Sequence, residues 1–576
     1  MIANSEIQKF FTKEHGDYID LPEDSTKQNQ APFRIKIINL IALILTVLVI
    51  FRLIYLNTVS NNFLSNQIDT RVKRTQVVTS MRGTITDRNG NALAVSTPVA
   101  SIWVDPSNLD DLTSEQIKEI ASILEVPVKD LNTKLNDKNK TFVYLRRAVS
   151  PEQAEQIKNL EIDGIYNIKE YKRFYPSGEV TAHVVGFTNI DDKGSEGVEF
   201  ANDKLLQGKN GSQQIIRDRQ GHVVEYVGNG DPAVNGKNIE LSIDNRIQEI
   251  AYDALKNQVE KTHAIGGSAV VLDAKTGEVL SMVNIPTYNP NNRDNATLDM
   301  LRNRAAIDLY EPGSTMKPFV AAKALDDGLV TPETVFNTMP YHVGPKLIRD
   351  THDHPKLTVS QIIEKSSDVG ISKIAFKYKP KDLWTYDDSL GFGQKVGTHF
   401  PGEAKGIMHP WQNWRPLDQA SMSYGYAISV SLMQMARAYT LFTNNGCLLP
   451  LTFYKNANGS APECKQIIKP GTATEMRDIL SKVTEEGNTG ILAQVDGYTT
   501  AGKTGTAHKA AVHGYYSNKY VGSFVGFAPV NNPKVVIAVM INEPHGAYYG
   551  GVVAAPVFSA IAGPTLHLLG VAPDKK

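Results

Sequence analysis

The feature that most constrains this chain is an apolar run close to its start. From Ile35 to Leu56 it reads IKIINLIALILTVLVIFRLIYL, 22 residues broken only by Lys36, Asn39, Thr46 and Arg52. As a helix rising about 1.5 Å per residue, the run reaches about 33 Å, enough for a hydrocarbon core of about 30 Å. Lys36 and Arg52 lie near its ends, where long cationic side chains can reach the interface. The competing readings are a buried core helix and a cleaved signal peptide with Ile37 to Ile50 as its apolar region. Against the signal peptide stand the long tail before the run and the lack of a small-x-small cleavage pattern after it. An uncleaved single-span anchor at 35–56 is expected. Basic residues flank it on both sides, but none occurs from Asn57 to Thr70, and most of the chain follows. This favours a cytoplasmic tail at 1–34 and an exported body.

A chain of 576 residues exceeds what one hydrophobic core usually fills, so several domains are expected. Its 60 Lys+Arg against 61 Asp+Glu leave no basic excess, and no nucleic-acid partner is implied. The two cysteines, Cys447 and Cys464, flank a turn-rich segment between the β-prone runs LTFY and KQII. In an oxidising compartment a disulfide across that hairpin is expected. So few cysteines offer no metal site, and the alternating His352, Asp353 and His354 suit a turn better than a ligand set.

Along the body, RGTITDRNGNALAVS (Arg82 to Ser96) sets short alternating runs around Asn89-Gly90, a hairpin signal. Helices are predicted from Ser114 to Leu124, opened by the capping-box pattern TSEQ, and from Ser150, where Pro151 suits the first turn. The stretch Asn57 to Ser80 reads as a helical or extended stalk. A boundary falls in the Gly/Pro/Asn-rich Val227 to Asn238, giving a mixed α and β pedestal at 57–238 and a second body at 239–576. That body opens with two apolar strands in SAVVLDAKTGEVLSMV, Ser268 to Val283. It then shows helical periodicity over Thr315–Leu325 and Ser421–Phe442, and closes with the strands VGSFVGFAPV and KVVIAVMINE. Strands at both ends with helices between predict an α+β fold around one antiparallel sheet flanked by helices.

The chemistry concentrates in three short motifs. Ser314 and Lys317 form S-x-x-K at the start of a predicted helix, which places the amine one turn from the hydroxyl. Ser366, Ser367 and Asp368 follow, and then Lys503, Thr504 and Gly505 spell K-T-G. Each element alone is cheap, but the ordered set is that of serine penicillin-recognising enzymes. Gly497, Gly502, Lys503 and Thr504 also fit a phosphate-loop pattern, but that loop needs a buried strand before it and a helix after it. Residues 496–518 read as strand, and an exported body meets no ATP.

On these and further motifs the chain resembles the class B penicillin-binding proteins, on the division-specific branch. In the pedestal the shared stretches are RGTITDRNG (Arg82–Gly90), YLRR (Tyr144–Arg147), RFYPSGEVTAHVVGF (Arg173–Phe187), GVEF (Gly197–Phe200) and DRQG (Asp218–Gly221). In the second body they are EPGSTMKPF, SSDVG, LGFG (Leu390–Gly393), YGYAISVSLMQMA (Tyr424–Ala436), AGKTGTA, FVGFAP and YYGG (Tyr548–Gly551). The resemblance implies a peptidoglycan D,D-transpeptidase of the inner membrane, with its catalytic domain in the periplasm at the septum. Ser314 would be the nucleophile toward a stem peptide, Lys317 its base and Ser366 the proton relay. Lys503, Thr504 and Thr506 would hold the donor carboxylate beside Gly505, and the N–H groups of Ser314 and Thr506 the oxyanion. It further implies β-lactam inhibition, no cofactor, and as partners a glycosyltransferase of the FtsW type with other division proteins. Asp368 departs from the Asn usual at that place. Its carboxylate is expected to pair mainly with a second cation, Lys503; the other readings are that it stays protonated and donates a hydrogen bond as Asn would, or that the enzyme runs best at higher pH. The readings left open are an elongation-specific enzyme, a D,D-carboxypeptidase or β-lactamase, and an inactive scaffold or β-lactam sensor.

Overall fold

The computed structural model describes residues 31–58, 73–217, 223–456, 461–511 and 514–575. The expected tail up to residue 30, the stalk at 59–72 and the DRQG stretch lie outside them. The chain divides into two compact units, residues 1–76 with 214–229, and residues 77–213 with 230–576. In the first unit, helix α1 (Ala31–Thr58) carries the apolar run. It is long and apolar enough to cross a membrane, and none of its most apolar 18-residue window is buried among the described residues. A three-stranded sheet of Lys73–Val78, Gly211–Arg217 and Val223–Asp231 lies mainly in this unit.

The second unit begins with the pedestal sheet. Strands β1 (Ile85–Thr86) and β2 (Ala92–Val104) form the hairpin predicted around Asn89-Gly90, with Ile85 opposite Ala94 and Thr86 opposite Ala92. The Asp87 carboxylate tightens the turn by accepting the N–H groups of Asn89 and Asn91 at 2.9 and 2.8 Å. Helices α2 (Ser114–Ile123) and α3 (Pro151–Lys158) both start from full capping boxes, Thr113 with Gln116 and Ser150 with Gln153. Strands β3 (Val143–Val149) and β4 (Ile165–Phe174) pair antiparallel with β2, and β5 (Ile239–Glu240) pairs parallel with β1. Three of the pedestal motifs meet in one buried ion cluster. Glu199 takes the Arg82 Nε at 2.7 Å and the Arg173 Nε at 2.6 Å, all three side chains being at most 1% exposed. Breaking such a cluster leaves a buried charge unpaired. Glu199→Ala is expected to lower stability by about 3–5 kcal/mol, and an unchanged melting temperature would contradict it.

Past α4 (Asn245–Lys261), five strands build an antiparallel sheet. They are β6 (Gly266–Asp273), β7 (Val279–Ile285), β8 (Ala501–Ala510), β9 (Tyr515–Ala528) and β10 (Val535–Asn542), in the order β7-β6-β10-β9-β8. Both faces are covered, so its inner strands read as apolar runs rather than alternating ones. Val270 and Leu272 of β6 face the core under α5 (Lys317–Asp326), α6 (Asp368–Ala375) and the helices that follow them. Ala269 and Val271 face α4 and the C-terminal helix α9 (Ala555–Leu568). The apolar α9 is a core element, packed on this sheet through Phe558 and Ile561.

Two sequence expectations fail here. The helix predicted from Ser421 to Phe442 is two, α7 (Pro416–Ser423) and α8 (Leu432–Thr443). Gly425 between them has φ +82° and approaches Gly313 so closely that a Cβ would sit 2.0 Å from the Gly313 carbonyl oxygen. LTFY is not an arm of the cysteine hairpin: its Thr452 and Tyr454 bridge to Glu278 and Leu241. The arms are Cys447–Leu448 and Lys465–Gln466. The disulfide itself is present, joining Cys447 and Cys464 across a Cα separation of 5.8 Å. Closing that loop contributes about 3 kcal/mol in the chain-entropy account. Both thiols should therefore resist alkylation until a reductant is added, and full labelling without reductant would show the bridge absent.

Candidate active site

Three elements bring the three motifs together. Ser314 lies in a 3₁₀ turn, Gly313–Met316, that runs directly into α5, with Met316 and Phe319 anchored in the core. The turn is held from two sides: the Gly313 N–H donates to the Gly425 carbonyl at 3.0 Å, and the Tyr439 hydroxyl donates to the Thr315 carbonyl at 3.0 Å. The Ser314 hydroxyl, half-buried, has no hydrogen-bond partner among the described residues.

Lys317 opens α5 and its side chain is fully buried. Its Nζ donates to the Ser366 carbonyl at 2.5 Å and to the Ser366 Oγ at 3.1 Å, and it pairs with the Asp368 Oδ1 at 2.6 Å. An ammonium has three protons to donate, so all three are spent on this one turn. Ser366 presents both of its oxygens because it sits at φ +61°, a left-handed conformation that a serine adopts only when its surroundings hold it there. The holding comes from Ser367 and Asp350. The Ser367 Oγ accepts the Gly370 N–H at 2.8 Å as N-cap of α6 and donates to the Asp350 Oδ2, whose Oδ1 accepts the Val369 N–H at 3.0 Å. Asp350 carries no motif in the sequence, and no pattern there points to it.

Asp368 occupies the first position of α6, where the helix end favours a negative charge. The structure pairs it with Lys317, not with Lys503 as expected. Lys503 is fully buried on the edge strand β8, and its Nζ donates to the Thr504 Oγ1 and carbonyl at 3.2 and 3.3 Å. Burial, and then the neighbouring charge of Lys317, hold the Lys503 amine well below the ordinary lysine range; Asp368 pulls weakly the other way.

The K-T-G run continues as strand to Ala510, paired residue by residue with β9, so Thr506 lies opposite Gly522. A phosphate loop is thereby excluded. Gly505 lies against the Ser314 turn. A Cβ there would stand 2.8 Å from the Pro312 carbonyl and 2.3 Å from the Ser523 Oγ, so any side chain would push the strand off the turn. Thr506 accepts the Gly550 N–H on its Oγ1 at 3.0 Å, within YYGG. Its main chain comes close to the Ser314 turn: the Thr506 carbonyl lies 3.1 Å from where a Gly313 Cβ would be. Ser314, Lys317, Ser366, Asp368, Lys503 and the 504–506 backbone are therefore brought together in one place. Tyr424 and Tyr426, edge to face at 6.0 Å, stand beside it, Tyr426 accepting the His508 N–H at 3.4 Å. Acid–base exchange at a serine hydroxyl is the chemistry that two buried amines around an unpartnered hydroxyl allow.

Residues 267–563 match the family described as the penicillin-binding protein transpeptidase domain, and residues 77–241 the penicillin-binding protein dimerisation domain. The chain is 44% identical over 547 residues to a protein of Neisseria gonorrhoeae named probable peptidoglycan D,D-transpeptidase PenA, covering 94% of each. It is 39% identical over 529 residues to the peptidoglycan D,D-transpeptidase FtsI of Escherichia coli K12, covering 91% of this chain and 90% of that one. Among solved structures, a peptidoglycan synthetase from Bifidobacterium adolescentis superposes with a TM-score of 0.69 at 25% identity, over 88% of this chain and 98% of that one. With a dimerisation domain ahead of a transpeptidase domain on one continuous chain, and an apolar helix ahead of both, this protein belongs to the class B penicillin-binding proteins.

Proposed function

We propose that the chain is a serine peptidoglycan D,D-transpeptidase that cross-links stem peptides of the septal wall. Its body would lie in the periplasm on a single anchor in the cytoplasmic membrane. The observation that carries this reading is the unpartnered, half-exposed Ser314 hydroxyl beside the fully buried Lys317 and Lys503. Ser314 Oγ attacks the carbonyl of the penultimate D-Ala, and its proton passes to Lys317, which must first have lost one of its three protons to solvent and so offers a lone pair. The tetrahedral oxygen is held by the N–H groups of Ser314 and Thr506. Collapse breaks the peptide bond and expels the terminal D-Ala, its amine protonated through Ser366. A neighbouring stem amine then displaces Ser314 and closes the cross-link. Lys503, Thr504 and Thr506 receive the donor carboxylate, and Gly505 lets the strand lie against the turn. β-Lactams follow the first half of this path and stop at the acyl-enzyme. The reading needs no cofactor. The name FtsI of a relative 39% identical supports division as the setting; an FtsW-type glycosyltransferase and other division proteins are the partners that the sequence resemblance implies.

Mass spectrometry after incubation with benzylpenicillin tests the assignment. One adduct is expected, on the peptide containing Ser314, and it should persist for many minutes. An adduct on another serine would overturn the site, and rapid loss of the adduct as penicilloate would mark a β-lactamase. Complete absence of labelling in a folded protein would favour a scaffold.

A further inference from the structure

Residues 452–456, inside the loop that the disulfide closes, lie between the pedestal and the catalytic body. On one flank, where β5 leaves the pedestal sheet, the Ser242 N–H donates to the Phe453 carbonyl at 2.8 Å and the Lys455 N–H to the Glu240 carbonyl at 3.3 Å. On the other, the Val279 N–H at the start of β7 donates to the Thr452 carbonyl at 2.9 Å, and the Thr452 N–H to the Gly277 carbonyl at 3.2 Å. Side chains join the same three segments. Lys455 pairs with Glu240 at 2.6 Å, the Asn202 amide of the pedestal donates to the Tyr454 hydroxyl at 2.8 Å, and the Asn456 N–H donates to the Glu278 carboxylate at 2.9 Å. Each flank amounts to one isolated bridge, Leu241 with Tyr454 and Glu278 with Thr452, rather than a ladder. At its root the stretch is tied to α8, the Leu449 N–H donating to the Thr440 Oγ1 at 3.2 Å and the Arg437 Nε to the Leu449 carbonyl at 3.0 Å. The returning arm pairs with the outgoing one over just two residues a side, Lys465–Gln466 with Cys447–Leu448, and so short a ribbon is marginal in water. The sulfur bond is what fixes the two arms to each other.

We propose that the Cys447–Cys464 bridge is a redox-dependent fastening of this seam, which opens far more readily once the two sulfurs are thiols. Leu451 and Phe453 are buried, Phe453 against Phe400 with ring centroids 4.9 Å apart, so the stretch is seated in either redox state. The bridge acts on the openings. When residues 452–456 peel away with the bridge intact, the freed loop stays pinned at both ends, 17 residues apart, and gains few conformations. Without the bridge it gains those of a free chain, a difference of up to about a hundredfold in the population of the open seam. Closing the bridge is a two-electron step: each thiol gives up one proton and one electron, the sulfurs join, and the disulfide of a protein oxidant becomes a dithiol. A second seam between the same two bodies is built without the loop. There the Tyr175 N–H donates to the Asn291 Oδ1 at 2.9 Å, the Gln248 Nε2 to the Val180 carbonyl at 2.8 Å and the Tyr288 hydroxyl to the Ala182 carbonyl at 3.0 Å. Reduction therefore loosens one edge of the junction while the other holds.

Hydrogen–deuterium exchange of the full chain tests this in three forms. They are the oxidised protein, the same protein in dithiothreitol, which becomes a cyclic disulfide as both cysteines become thiols, and the variant Cys464→Ser. Cys464 is part-exposed, so the variant removes the bridge with little change in packing. Exchange at the Ser242 and Val279 amides should quicken about ten- to hundredfold in both bridgeless forms. The Tyr175 amide and those of β6 and β10 should keep the oxidised rate. Unchanged exchange at Ser242 and Val279 in protein whose thiols are open to alkylation would overturn the fastening. So would quickening confined to residues 461–467, which would show the bridge shaping its own hairpin alone. Quickening through β6 and β10 as well would also overturn it, because the bridge would then support the fold as a whole. If the bridge resists dithiothreitol, the variant decides by the same outcomes.

Discussion

Replacing Lys317 by methionine is expected to slow acylation of Ser314 by benzylpenicillin about 10²- to 10⁴-fold, the range that a positioned proton acceptor contributes. Methionine has nearly the same length and no charge, and it enters a site already enclosed by the apolar first turn of α5. The carboxylate it leaves behind is not stranded, because the Asp368 side chain is 36% exposed and keeps access to water. Ser366 loses the donor to its carbonyl and hydroxyl, but Ser367 and Asp350 still hold the turn from the other side. The fold should therefore survive, with melting temperature and near-ultraviolet circular dichroism close to those of the parent. Acylation within tenfold of the parent would mean that Lys317 only fastens the Ser366 turn and that another group takes the serine proton.

Asp368→Asn should keep acylation of Ser314 within about tenfold of the parent. Asn keeps the shape of the side chain that pairs with Lys317 at 2.6 Å and removes its charge. Because Lys317 rather than Lys503 is the partner, any change should belong to the rate of acylation more than to the affinity for a carboxylate ligand. A loss beyond about a hundredfold at every pH would show that the carboxylate itself takes part in the chemistry.

What could be read from the sequence was whatever depends on near neighbours. The capping box at Thr113, the helix start at Ser150 with Pro151 in its first turn, the Asn89-Gly90 turn and the apolar runs of β6, β9 and β10 are local signals, and the structure contains each. The three motifs that meet at the site are visible in the sequence as an ordered set. What could not be read depends on contacts across the fold. Helical periodicity from Ser421 to Phe442 runs unbroken on paper, but the close approach of Gly425 to Gly313 interrupts it, and nothing near Gly425 announces that contact. The pairing of LTFY with Leu241 and Glu278 is likewise remote in sequence. Asp368 was identified as unusual but given the wrong partner. Its place at the start of α6 and the left-handed Ser366 aim it at Lys317, while Lys503 lies on a strand and turns its amine back on Thr504.

That inward-turned Lys503 has a consequence for selectivity. An amine whose hold on its proton is weakened by burial holds it more firmly when an anion arrives beside it, so recognition and ionisation are coupled. The docking of a carboxylate there should weaken as pH rises. An ester or primary amide of the same shape brings no counter-charge and gains nothing from the amine's proton. Such a site meters acidity as well as outline, and distinguishes a free peptide terminus from a capped one by whether the newcomer brings a charge that steadies that proton.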